Sequence, residues 1–133
     1  ADIIINPEES TDLLTQIKDH TKGLGVNASI DASSSPSARS SAVKCVKTWG
    51  KACFVGEGGE VTLDVSNDLL RRQVTLIGSW TFSKYEQDEC ADFVAEKNLD
   101  VDQLFTHTWS LNQAVEAYEL FDNQSDGKGV FIP

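Results

Sequence analysis

ACFVGEGGEVTLDVSNDLLRRQVTLIGSWTFS, residues 52–83, is the stretch on which the reading of the whole chain turns. Cys53-Phe54-Val55 and Val74-Thr75-Leu76-Ile77 are short apolar runs without polar alternation, the pattern of strands covered on both faces in a parallel sheet. Each run stops at a glycine, Gly56 and Gly78. Between them the residues read as a glycine turn, a short hairpin-like strand and a short helix. Ligands of open α/β sheets lie beyond the carboxyl ends of the strands, so the backbone just after these two runs is where a ligand is expected.

Upstream, Ile3-Ile4-Ile5 ended by Asn6-Pro7 reads as a buried strand and a turn. A helix follows, capped by Ser10 or Thr11, with Leu13, Leu14 and Ile17 inward and Gly23 closing it in the left-handed conformation. His20 stands near its end as a structural or surface residue, with no partner at ligand spacing. Gly23-Leu24-Gly25-Val26-Asn27-Ala28 formally fits a dinucleotide fingerprint, but that motif needs a strand before it and a helix after it. Here the order is reversed, which makes it a helix stop and a turn. Ala28–Ala32 reads as the next strand, and Ser35-Pro36 as the cap and first residue of a helix. Ala38, Ala42, Cys45, Val46 and Trp49 form its inner face, Gly50 ends it, and Trp49 is expected in the core.

Downstream, Ser83-x-x-Glu86 is a capping box opening a helix with Cys90, Phe93 and Val94 inward. Its acids Glu86, Asp88, Glu89 and Asp92 are spread around the helix as a solvated face, not gathered as a metal site. Phe105, His107 and Trp109 alternate with threonines as a strand with an aromatic face. Ser110-x-x-Gln113 caps a last helix with Leu111, Ala114, Val115, Tyr118 and Phe121 as its stripe, and a Gly127-Lys128-Gly129 turn leads into the strand Val130–Ile132. Strand and helix alternate to about residue 80, which implies an α/β architecture with a parallel sheet.

A chain of 133 residues suffices for one ordinary domain, and 40% hydrophobic with 24% charged residues is the balance of a soluble globular protein. Eleven basic against twenty-one acidic residues, a net charge of −10, oppose binding to nucleic acid or to an anionic membrane. No apolar run nears membrane-spanning length and no basic-then-apolar leader opens the chain, so a cytoplasmic location is expected. Cys45, Cys53 and Cys90 lie far apart, make no metal-ligand spacing, and read as small buried hydrophobes in a reducing compartment. No G-x-S-x-G elbow marks a nucleophile, so hydrolase chemistry has no support.

Taken together, Phe54-Val55-Gly56-Glu57-Gly58-Gly59, Leu70 to Ser79, Leu104 to Leu111, Ala114, Ala117-Tyr118 and Gly127 to Val130 resemble the carboxyl-terminal part of a zinc-type, medium-chain alcohol dehydrogenase. The resemblance implies an incomplete Rossmann-like sheet, the second half of a doubly wound nucleotide-binding domain at 1–79, then an α+β segment at 80–133 that returns to the catalytic domain. Ile3–Ile5, Ala28–Asp31, Lys51–Val55 and Val74–Gly78 resemble the family's third to sixth strands. Its first two strands, the glycine-rich pyrophosphate loop, the residue selecting NAD over NADP and the zinc ligands have no counterpart here. Ile3–Ile5 is therefore expected to pair directly with Ala28–Asp31 or to insert into another molecule. Carried over by position, Ala32 and Ser33 resemble the adenine-side turn, where the family carries glycine in place of Ser34. Val55 and Gly56 resemble the pair beside the nicotinamide ribose. Gly78, Ser79 and Thr81 resemble the segment reaching the carboxamide, and Lys128 the pyrophosphate's cation. A homodimer through the Val74–Gly78 strand edge is implied as well.

The resulting expectation is a carboxyl-terminal piece of an NAD(P)-dependent zinc-type alcohol or polyol dehydrogenase, inactive alone, with no catalytic residue or metal ligand of its own and a small-molecule alcohol as the parent's substrate. The alternatives are a free-standing, non-enzymatic binding or oligomerisation module derived from such a domain, and a stable fragment without a function of its own.

Overall fold

The computed structural model describes residues 1–7, 12–123 and 127–133. They form two compact units, Ala1–Thr81 and Phe82–Pro133. The first is built on a parallel three-stranded sheet in the order β1 (Val26–Asp31), β2 (Val46–Phe54), β3 (Thr75–Gly78). Helix α1 (Leu13–His20) packs on α2 (Pro36–Cys45), and α2 lies against β1 and β2. Asp12 caps α1 through its carboxylate, which accepts the Thr15 N–H at 3.0 Å; the expected caps Ser10 and Thr11 lie outside the described residues. Lys22 and Gly23 then take positive φ, and the Gly23 N–H returns to the Lys18 carbonyl at 2.8 Å, closing the helix as its sequence implied. Helix before and strand after Gly23–Gly25 is the order that rejects the dinucleotide fingerprint.

The core consists of Val43, Cys45, Val46 and Ala52, against which Leu14, Ile17, Val26, Phe54, Leu63, Leu69 and Val74 pack. Fully burying a valine contributes roughly 1.5–3 kcal/mol, so Val43 and Val46, both under 2% exposed, anchor α2 and β2. The backbone departs here from the expected long helix. It ends at Cys45 because the Arg72 guanidinium donates to the carbonyls of Val43, Lys44 and Val46, drawing the chain into β2. Residues 47–50 then stand out of register, since Val26 pairs with Val46 but Ala28 already pairs with Lys51. Trp49 sits in this excursion with φ +61° and is 70% exposed, so it is not the core residue its helical spacing implied.

Three further expectations are corrected. Ile3–Ile5 forms no strand: β1 pairs with β2 alone among the described residues, and Ile3 and Ile4 are exposed. No hairpin-like strand forms between β2 and the helical turn Val65–Leu70; in that loop the carbonyls of Gly56 and Gly59 accept from Arg39. Only Cys45 is buried; Cys53 is half-buried and Cys90 exposed.

In the second unit the Ser83–Glu86 capping box opens α3 (Lys84–Glu96) with both reciprocal bonds present. A parallel pair, β4 (Phe105–Trp109) and β5 (Lys128–Phe131), flanks α4 (Ala114–Asp122) in sequence, with the Ser110–Gln113 box ahead of the helix. The expected inner faces of these helices leave large side chains exposed: Phe93, Leu111, Val115, Tyr118, Phe121 and Cys90 are exposed, while Ala117 is buried. No helix among the described residues is long and apolar enough to cross a membrane.

Candidate functional site

The carboxyl edge of the first sheet ends in one row, in which Asp31 pairs with Phe54 and Phe54 with Gly78. Immediately beyond it stand Ala32-Ser33, Val55-Gly56 and Ser79, positions expected to face a ligand. They are fastened backbone to backbone: the N–H groups of Val55 and Gly56 donate to the Asp31 carbonyl at 2.9 and 3.1 Å, and that of Ser79 to the Phe54 carbonyl at 3.0 Å. Parallel strands, coplanar and in register, leave their last carbonyls and first loop amides on a common rim, and that is why residues so distant in sequence meet here. A Cβ built on Gly78 would meet nothing within 4 Å, so the rim is open at β3. Thr81 lies further along the same segment with φ +45°. Lys128 belongs to the second unit, where it borders a groove of about 370 Å³ with Phe105, His107, Trp109, Tyr118 and Phe121.

Beneath the rim, the two loops are tied together by Asp31 and Arg39, residues the sequence reading did not single out. Asp31 is 4% exposed, and its carboxylate accepts the Ser33 N–H at 3.1 Å, the Ser33 hydroxyl at 2.7 Å and the Ser34 N–H at 3.3 Å. The Arg39 Nε approaches the same carboxylate at 3.4 Å. Burial alone would raise the Asp31 pKa; the Ser33, Ser34 and Arg39 donors outweigh it and hold the carboxyl below its ordinary value. Ser34, at the family's glycine position, has φ +63°, so the backbone keeps the glycine-type conformation with a serine in place. Gly56 is needed for space: its Cβ would stand 2.5 Å from the Ser34 nitrogen. The available signal for Arg39 was its helical phase, three and four residues before the buried Ala42 and Val43.

Among the described residues no three histidine, cysteine, aspartate or glutamate side chains come together as a metal site. At the rim Val55 and Ser79 are exposed, and a Cβ on Gly78 would meet nothing within 4 Å. The rim offers no helix amino terminus to a pyrophosphate at Gly23–Gly25, which follows α1 instead of preceding a helix.

Residues 1–96 match the family described as zinc-binding dehydrogenase. The chain belongs to that family. Within it, the chain is 33% identical over 121 residues to the uncharacterized zinc-type alcohol dehydrogenase-like protein YphC of Escherichia coli, covering 91% of this chain and 34% of that protein. It is 28% identical to the L-threonine 3-dehydrogenase of Pyrococcus horikoshii, over 99% of this chain and 38% of the relative. It therefore spans little more than a third of the length of these family members. The fold superposes on an alcohol dehydrogenase from Thermotoga maritima with a TM-score of 0.85 at 21% identity, covering all of this chain and 38% of that one. The carboxyl-terminal, Rossmann-like character implied by the motifs of residues 52–83 is that of the family.

Proposed function

We propose that this chain is the carboxyl-terminal part of an NAD(P)-dependent zinc-type alcohol or polyol dehydrogenase. It supplies the nicotinamide-side half of the cofactor cleft and an edge for dimer formation. The observation that carries the reading is the common rim beyond Asp31, Phe54 and Gly78, which sets Ala32-Ser33, Val55-Gly56 and Ser79 side by side at the sheet's carboxyl edge. The nicotinamide ring, when bound, supplies the hydride acceptor; this chain's backbone would position it and close it off from water. The described residues offer no ligand set for zinc, so the metal's polarising role is assigned to the rest of the parent protein. Relatives named for L-threonine and D-arabitol phosphate support a small hydroxyl-bearing substrate. The uncovered stripes at Phe93, Leu111, Val115 and Tyr118 support docking of residues 80–133 on the catalytic domain, as apolar faces of this extent mark interfaces. Free cysteines support a cytoplasmic setting.

The test is NADH and NADPH binding, followed by zinc-dependent alcohol oxidation, in the product of the full gene and in the 133-residue chain. Binding and turnover by the first, with neither by the second, is the expected result. Turnover by the short chain would refute the assignment of the chemistry to other residues, and a full product that binds neither dinucleotide would refute the cleft.

The second reading, an oligomerisation module, is favoured by one observation, the open edge of β3, whose residues are all exposed. A defined oligomer of the short chain without cofactor would support it.

A further inference from the structure

Arg39 is a cation spent entirely inside the protein. Its side chain is 10% exposed, and each guanidinium nitrogen has a different partner: Nε the Asp31 carboxylate at 3.4 Å, Nη1 the Gly59 carbonyl at 2.9 Å, Nη2 the Gly56 carbonyl at 2.6 Å. The cation also lies over the Phe54 ring, 5.5 Å from its centroid. Asp31 in turn holds the Ser33 and Ser34 amides. One planar group thus joins the loop after β1 to the loop after β2, at the two places where that rim would meet a dinucleotide. The fit is close: a Cβ on Gly59 would collide with the Ser34 carbonyl oxygen, and Gly59 has φ +68°.

We propose that Arg39 is a positioning residue of the cofactor cleft, fixing the 32–34 and 55–59 loops in one geometry before the dinucleotide arrives. The inference rests on the cleft reading above and deepens it. Loops already ordered in the bound geometry lose less entropy on binding, so the clamp acts on affinity. Lysine cannot replace it, since an ammonium offers no planar fork to reach two carbonyls and a carboxylate together. Asp31 is what makes the arginine tolerable under the rim: each would be an uncompensated buried charge without the other.

The test uses the full gene product with Arg39→Lys and Arg39→Met. NADH affinity is measured well below each protein's unfolding transition, with hydrogen exchange at the amides of 32–34 and 55–59. The expected result is a Kd raised about tenfold in Arg39→Met and less in Arg39→Lys, with protection lost in both loops. A merely structural arginine would lower the melting temperature and leave Kd and loop protection at wild-type values in the folded variants; that outcome overturns the proposal. If Arg39→Met does not fold, Arg39→Lys decides alone by the same two readouts. A wild-type protein that binds no dinucleotide overturns the cleft reading and this inference with it, whereas wild-type binding with unaltered variants overturns only this inference.

Discussion

At the scale of single residues, the carboxyl edge depends on one buried carboxylate. Because donors hold the Asp31 pKa below its ordinary value of 3.8, the folded state binds its proton later than the unfolded chain does. Stability from this group is complete above that ordinary value and is lost as pH falls through the lowered one. Thermal melts from pH 7 down to pH 2 should show this loss, and Asp31→Asn should flatten it. At neutral pH the same variant should cost about 3 kcal/mol, since it leaves Arg39 as an uncompensated buried charge. Ser34 offers the opposite case. A left-handed backbone costs a non-glycine residue roughly 1–2 kcal/mol, and glycine's extra freedom in the unfolded chain takes part of that back. Ser34→Gly should therefore raise stability by about 0.5–1 kcal/mol in urea unfolding, and a loss would show that the Ser34 side chain matters more than its φ. The glycine that the family carries at the position of Ser34 pointed to the second effect, but nothing in the sequence pointed to the first. Asp31 and Arg39 are eight positions apart but Arg39 acts on carbonyls seventeen and twenty residues away, beyond any local pattern.

At the scale of elements, signals confined to a few neighbouring residues were read well, and signals arriving from far along the chain were not. Ser35 stands at the cap position of α2 with Pro36 after it, though its side chain makes no cap bond, and the boxes Ser83–Glu86 and Ser110–Gln113 form where the spacing placed them, because each box closes within a single turn. The end of α2 was misplaced because its terminator is Arg72, nearly thirty residues downstream, and Trp49 was drawn into the wrong element with it. The run at Ile3–Ile5 reads as a strand, yet its membership in a sheet depends on a neighbour that periodicity does not report. The Ser83 box gives a direct check. Ser83 accepts the Glu86 N–H at 3.2 Å while the Glu86 carboxylate accepts the Ser83 N–H at 2.6 Å. Ser83→Ala should destabilise α3 by about 1 kcal/mol, read as faster amide exchange over 84–87 without change in the first unit. Equal loss across both units would mean that they unfold together.

At the scale of the whole molecule, the two units differ in what they lack. Among the described residues the first has a small core and a sheet whose outer strands, β1 and β3, pair on one side only; the second has helices that leave large apolar side chains exposed. The fold class was legible because strands of a parallel sheet carry unbroken apolar runs, but the expected cover on both faces is not met, since Val55 and all of Thr75–Gly78 are exposed; periodicity marks an inner face without saying what covers it. If β3 continues into a second copy, Ile77→Lys should dissociate the dimer of the full gene product in sedimentation without altering its melting temperature by more than a few degrees. A dimer that survives would place the subunit contact elsewhere. The open β3 edge also has a consequence for handling the protein. Along its outer edge Thr75-Leu76-Ile77 offers backbone groups that no strand of the described residues pairs, a template of the kind that seeds cross-β fibrils, and the net charge of −10 keeps copies apart. Bringing a concentrated solution to its isoelectric point, about pH 4.4, cancels that repulsion while leaving the edge intact, so fibrillar precipitation of the 133-residue chain is expected there.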